Sequence, residues 1–156
     1  MALTKLNNQS LSEVTAAGIP IRSGSLLQVA SNFITSTFDT ASTSFVTTGL
    51  AQAITPLSTS SKILCIVSIG SWYISNGGSC NATIYRGSTN IGNGSNGLML
   101  LGVPALNVPS TGQVLDSPNT TSSTTYTVYV RTSGHTTYMS YATYGHFTLT
   151  LMEIAG

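Results

Sequence analysis

Charge is what this sequence has least of. Its 156 residues include five Lys or Arg and four Asp or Glu, 6% of the chain with a formal net charge of +1, against about 25% charged residues in a typical soluble domain. Lys5, Glu13, Arg22, Asp39, Lys62, Arg86, Asp116, Arg131 and Glu153 stand singly. No basic run exists to neutralise a track of phosphates, so no nucleic-acid partner is expected. No basic amphipathic stretch exists for a membrane surface either. The longest apolar run, near Ile63 to Ile74, is interrupted by Ser68, Gly70 and Ser71. It is shorter than the roughly 20 residues that cross a bilayer as a helix, so no membrane partner is expected. The opening MALTKLNNQS has no apolar stretch of the kind a signal peptide needs, which points to synthesis in a cytoplasm.

Cysteine and histidine are scarce too, with two of each. In a reducing cytosol Cys65 and Cys80 are expected to be free thiols, Cys65 as a core residue. The pattern puts a strand between His135 and His146, which is no spacing for a metal site, and both read as surface or interface residues. A general base needs a tuned neighbour, and no G-x-S-x-G elbow occurs. A serine with His146 and Asp116 is the one triad the composition leaves open. The paired carboxylates of a glycosidase are missing, because the four acids sit in unrelated contexts. The loop Gly92-Asn93-Gly94-Ser95-Asn96-Gly97 fits GxGxxG, but that mechanism needs a helix after the third glycine. Gly102, Pro104 and Pro109 prevent one, so the loop reads as a flexible connection. No catalytic residue, metal or cofactor is expected, and the chain is read as a non-enzyme.

What the sequence does have is β pattern. One domain of this length can bury roughly 68–70% of its unfolded surface. From Leu26 onward the chain reads as strands at regular spacing: LLQVA, FITSTF, SFVTT, LAQAIT, KILCIVSIGSWYI, CNATIYR, LMLLGV, QVLDS, TTYTVYVR, TTYMSYATY and HFTLTLMEI. The stretch from Ile63 to Val67 is apolar on both alternations, which suits a strand buried on both faces. Asn76-Gly77 is a hairpin signal. Tyr126, Val128 and Val130 share one face of their strand, and Thr127, Tyr129 and Arg131 the other. No convincing helix follows residue 24. The expected fold is therefore all-β, an antiparallel β-sandwich of jelly-roll-like type.

Residues 1–24 differ. Ser10 to Ala17 fit a short helix with Ser10 and Glu13 as a capping box, an extended arm, or a disordered terminus. In the last strand Thr148, Thr150, Met152 and Ile154 form a half-apolar second face, which suggests an oligomer contact or a bulge. Tyr138, Tyr141 and Tyr144 suit a glycan-binding surface, although packing in strands or at a subunit interface is the favoured reading.

Several blocks carry a family resemblance. A-L-T-K-L-N-N-Q-S at Ala2 to Ser10 resembles the N-terminal arms of small phage fibre and decoration proteins. I-T-P-L-S-T-S-S-K-I-L at Ile54 to Leu64 resembles a stretch common in them, with Leu57 in place of serine. L-D-S-P-N-T-T-S-S-T-T-Y at Leu115 to Tyr126 and L-M-E-I-A-G at Leu151 to Gly156 fit the same pattern. Together these span nearly the whole chain, which is thus similar to small bacteriophage virion structural proteins. The resemblance implies an attachment arm at residues 1–24 followed by a β-sandwich domain at 25–156, often trimeric. It implies capsid docking through Lys5, Leu6 and Leu11, with the major capsid protein or another virion protein as partner. Tyr126, Tyr129, Phe147 and Met152 are the expected oligomer-interface residues. The function implied is a trimeric capsid cement or decoration protein of the virion that clamps capsomers. The alternative is a tail-fibre or head-fibre tip that binds a host surface glycan, with Tyr138 and Tyr141 as contacts.

Overall fold

A computed structural model describes residues 21–102, 107–140 and 145–156, which form strands and their connections with no helix among them. Eleven strands occur: β1 (Leu26–Ile34), β2 (Phe38–Thr40), β3 (Val46–Ile54), β4 (Lys62–Ile74), β5 (Cys80–Arg86), β6 (Thr89–Asn90), β7 (Met99–Leu101), β8 (Val108–Asp116), β9 (Thr124–Thr132), β10 (Thr137–Met139) and β11 (Phe147–Ile154). The short ones continue longer ones. β1 and β2 run end to end along one edge, β10 and β11 run end to end beside β4, and β6 and β7 share one flank of β5.

The strands therefore fill four positions in each of two sheets. The first sheet runs β1/β2, β11/β10, β4, β8, and the second runs β3, β9, β5, β6/β7. Every pairing is antiparallel. The pairs β1·β11, β3·β9, β4·β8 and β5·β6/β7 make one long ribbon folded back on itself near residue 87. Two further pairings, β11·β4 and β9·β5, roll that ribbon into a β-sandwich, the architecture the strand pattern predicts.

Alternation explains the core. On β4, Ile63, Cys65, Val67 and Ile69 point inward, and on β11 Phe147, Leu149 and Leu151 join them. They meet Leu50, Ile84, Tyr126, Val128 and Val130 from the second sheet. Trp72 is fully buried, and its indole N–H donates to Thr137 Oγ1 at 2.8 Å, so its one polar atom keeps a partner. Gly112 sits opposite Val67 where Met99 crosses from the facing sheet. A side chain at Gly112 would collide with the Met99 thioether.

Three expectations are corrected. Ile63 to Val67 are not buried on both faces: Leu64 and Ile66 are only half-buried on the outside of the first sheet. Asn76-Gly77 does not close a hairpin. Both residues have positive φ, 56° and 88°, but the turn is an arch from β4 in the first sheet to β5 in the second. The loop at 91–98 is pinned rather than free. Asn90 Oδ1 accepts from Gly92 N at 3.0 Å and from Thr83 Oγ1 at 2.6 Å, and Asn81 Nδ2 donates to Asn96 O at 2.9 Å. Leu98 then leads directly into β7, with no helix to receive a phosphate. Pro109 lies within β8, which pairs only with β4. It falls at the register shift between the Ile69–Ser110 and Trp72–Val108 pairs and has no residue opposite it, a place in an edge strand where proline is tolerated.

Polar groups lock the two sheets together at one end. Arg86 Nη1 donates to both oxygens of Asp116, at 2.9 and 2.8 Å, and to Ser117 O at 3.1 Å. Tyr126 Oη donates to Asp116 Oδ2 at 2.7 Å. Asp116 belongs to the first sheet, and Arg86 and Tyr126 belong to the second. Burial, then the hydrogen bond to this carboxylate, pushes the Tyr126 phenol far above its ordinary range. Glu153 continues the inward row of β11 and is fully buried. It accepts from Gln28 Nε2 at 2.5 Å and from Leu57 N at 2.7 Å. Burial raises the carboxyl's pKa, but donors outweigh it and leave it below the usual value: the nearby Ser61 hydroxyl, Gln28, and the amides of Leu57 and Ser58. Ser61 Oγ itself makes no hydrogen bond among the described residues. Cys65 and Cys80 are free and buried. Burial pushes their thiols up to about 12 and about 11.

Glu153 supplies an acid-sensitive component of stability. Because its folded pKa is lowered, that component is present above the ordinary carboxylate value of 4.5 and is lost as pH falls through the lower, folded value. Glu153→Gln places an amide N–H against the Gln28 amide and lowers stability at pH 7 by about 1–3 kcal/mol. The loss relative to wild type shrinks towards pH 3, as read by urea unfolding. Both thiols stay unreactive to a thiol reagent in the native protein at pH 8 and react stoichiometrically in urea, because the thiolate is the reactive form.

Candidate functional site

The triad of a serine with His146 and Asp116 does not assemble. Asp116 is opposite Ile63 on β4, whereas His146 precedes the residue opposite Ile69. Six residues of strand separate those levels by about 20 Å, so Asp116 and His146 do not share a site. No group of three or more His, Cys, Asp or Glu lies close enough to hold a metal among the described residues.

The feature that does assemble is the outward face of the first sheet. Residues opposite one another in an antiparallel pair point to the same side. Val29 is opposite Met152, Met152 is opposite Leu64, and Leu64 is opposite Leu115. These four side chains form one apolar row across all four strand positions, on the side away from the core. Leu26 beside Ile154 extends it at one end, and Ile66 lies two residues beyond Leu64. Val29, Leu26 and Leu115 remain 52, 57 and 55% exposed, large values for apolar side chains gathered in one place. Further along, Ser31, Thr150, Ile66 and Gln113 form a mixed row. Phe33, 54% exposed, stacks on His146 with ring centroids 4.9 Å apart. Lys62, opposite Ile154, brings a charge to this face, and its Nζ is bonded to Ser117 Oγ at 2.7 Å.

The interface residues expected from sequence divide. Met152 sits in the middle of the row. Tyr129 points outward on the other sheet, half-buried, with its ring 4.1 Å from that of Tyr85. Tyr126 and Phe147 are corrected: both are fully buried in the core, because period-two alternation turns them towards the facing sheet, and neither can meet a partner. Tyr138 is opposite Tyr73 and half-buried, with ring centroids 5.8 Å apart. Lys5, Leu6, Leu11 and Tyr141 lie outside the described residues. Val29, Leu64 and Leu115 were missed. The signal for Leu64 was present in the second apolar alternation of β4, which was read as double burial. Val29 and Leu115 show themselves only through register.

No family model matches the chain, and no curated protein matches it. Among solved structures it is similar to the VP2 subviral particle of infectious bursal disease virus, with 12% identity and a TM-score of 0.42. The match covers 83% of this chain and 37% of that one, so the chain spans well under half of that protein's length. A likeness at this distance carries no weight for function.

The outer row contributes little to folding of the single chain. Leu64→Gln and Leu115→Gln therefore shift the unfolding free energy by about 0.5 kcal/mol or less. Leu149→Ala, on the core side of β11, costs about 2–5 kcal/mol. Chemical denaturation of the three variants at low protein concentration separates the two classes.

Proposed function

We propose that this protein is a non-enzymatic structural protein of a virus particle, acting as a homo-oligomer through the outward face of its first sheet. Its most specific form is a trimeric cement protein that clamps the capsomers of a bacteriophage head. The observation that carries this is the Val29–Met152–Leu64–Leu115 row. Interface cores are depleted of charge and enriched in methionine and large apolar groups, and this row lies on a face with almost no charge. With 6% charged residues, little electrostatic repulsion opposes association. We read the rolled ribbon as jelly-roll-like; jelly rolls are found in viral capsid domains and also in lectins and cupins, so the reading draws support from the fold without resting on it. The phage-like sequence blocks make the virion the favoured setting. Residues 1–24 would dock each subunit, and several weak arms on one rigid oligomer act at high effective concentration.

The fibre-tip alternative draws on the Tyr73–Tyr138 pair at the far end of β4, a half-exposed aromatic surface for a host glycan. Copy number distinguishes the two. Quantitative mass spectrometry of purified particles is expected to find the chain at the same order as the major capsid protein. A small fraction would favour a fibre, and absence from particles would overturn the virion reading. In solution, sedimentation is expected to show an oligomer that Leu64→Asp with Met152→Asp converts to folded monomer. Deleting residues 1–24 is expected to abolish capsid binding and keep the oligomer.

A further inference from the structure

The opposite, outward face of the second sheet carries a different chemistry. Thr127, Tyr129 and Arg131 leave β9 on this side. Phe45 precedes β3, and its ring meets Tyr85 edge-on at 6.4 Å. The Arg131 guanidinium lies over Phe45, 5.2 Å from the ring centroid. A cation–π contact holds the guanidinium in place without using its N–H donors. Among the described residues the one ion pair is Arg86 with Asp116, and no carboxylate or carbonyl accepts from Arg131. Arg131 is half-buried, and among the described residues its N–H donors are left for solvent or a ligand.

Arg131 opens onto a cavity of about 220 Å³, lined also by Thr43, Ser79, Asn81, Thr132 and Ser133. Its lining residues bring hydroxyl and amide groups beside the guanidinium. Part of that lining is fixed by bonds within the fold. Asn81 Nδ2 is held by Asn96 O at 2.9 Å, which leaves its carbonyl oxygen to accept. Ser133 Oγ accepts from Ser79 N at 2.9 Å, which leaves its hydroxyl hydrogen to donate. Thr132 Oγ1 is committed to His135 O at 2.6 Å. The hydroxyls of Thr43 and Ser79 complete the rim. The space is smaller than the roughly 300–1,000 Å³ of pockets for drug-sized molecules, and suits a single ring. A planar guanidinium fork matches a planar carboxylate in two parallel hydrogen bonds. The surrounding donors and acceptors match a ring of hydroxyls.

We propose that this cavity binds a carboxylate-bearing sugar, a uronic acid or a related acidic monosaccharide unit, with Arg131 on the carboxylate and Asn81, Ser79, Ser133 and Thr43 on the ring hydroxyls. The site lies on the sheet opposite the apolar row, and does not depend on the assembly reading. It is also separate from the Tyr73–Tyr138 pair.

The test is an amide NMR titration of the full chain with sodium glucuronate, alongside glucose as the neutral ring and acetate as the carboxylate without a ring. Glucuronate is expected to give saturable shifts centred on Arg131, Asn81 and Ser133. Glucose and acetate are each expected to bind about tenfold or more weakly, since each lacks one half of the recognition. Arg131→Gln is expected to weaken glucuronate binding about tenfold or more while spectra elsewhere are unchanged, and Arg131→Lys to restore only part, for want of the fork. Ser79→Ala, which keeps the charge, is expected to weaken it severalfold. Any of four results overturns the proposal: no saturable shift with glucuronate, equal binding of glucose, equal binding of acetate, or wild-type affinity in a folded Arg131→Gln protein.

Discussion

The register of β4 is the constraint on which the rest of the molecule depends. This one strand pairs with β11 and β10 on one flank and β8 on the other, so it sets the level of every side chain in the first sheet. A slip of one residue would exchange Ile63, Cys65, Val67 and Ile69 for Lys62, Leu64, Ile66 and Ser68 at the core. The chain resists that slip through groups that fit only one register. The Asp116 carboxylate reaches Arg86 and Tyr126 only from its present level on β8, and Glu153 reaches Gln28 and the Leu57 amide only from its level on β11. Few charges are present, and two of the four acids are spent fastening strands.

With the inner face so occupied, the two outer faces acquire separate characters. The first sheet shows an apolar row with little charge. The second shows aromatic rings, a held guanidinium and a polar cavity. An assembly that covers the first face leaves the second open to solvent, so a structural role and a ligand site can coexist in one small domain. The sparse charge makes both faces specific in their own way: association is not opposed by repulsion, and Arg131 meets no competing carboxylate among the described residues.

Much of the fold was legible in the residues. Clean alternation in TTYTVYVR and HFTLTLMEI marks half-buried strands, and it correctly paired Tyr126 with Val128 and Val130. The same alternation should have placed Tyr126 and Phe147 in the core. The resemblance alone implied an interface for them, whereas direction along the strand turns them inward. Asn76-Gly77 reads as a hairpin signal, but whether such a turn closes a hairpin or arches between sheets depends on partners far away in sequence. Pro109 reads as a helix breaker, and the structure places it in edge strand β8.

The sequence by itself determined the class of structure: β-branched and aromatic residues at period two, punctuated by Gly, Pro and Asn, and too few charges to line a surface of one sign. Those are local properties, readable within a few residues. Only the tertiary structure decided which apolar positions became core and which became the outer row, because Val29, Met152, Leu64 and Leu115 lie on four strands separated by up to 123 residues and meet through register alone. The cavity beside Arg131 arises in the same way, from Thr43, Ser79, Asn81 and Ser133 brought together by the roll of the ribbon. Long-range pairing carries that information, and no window of sequence contains it.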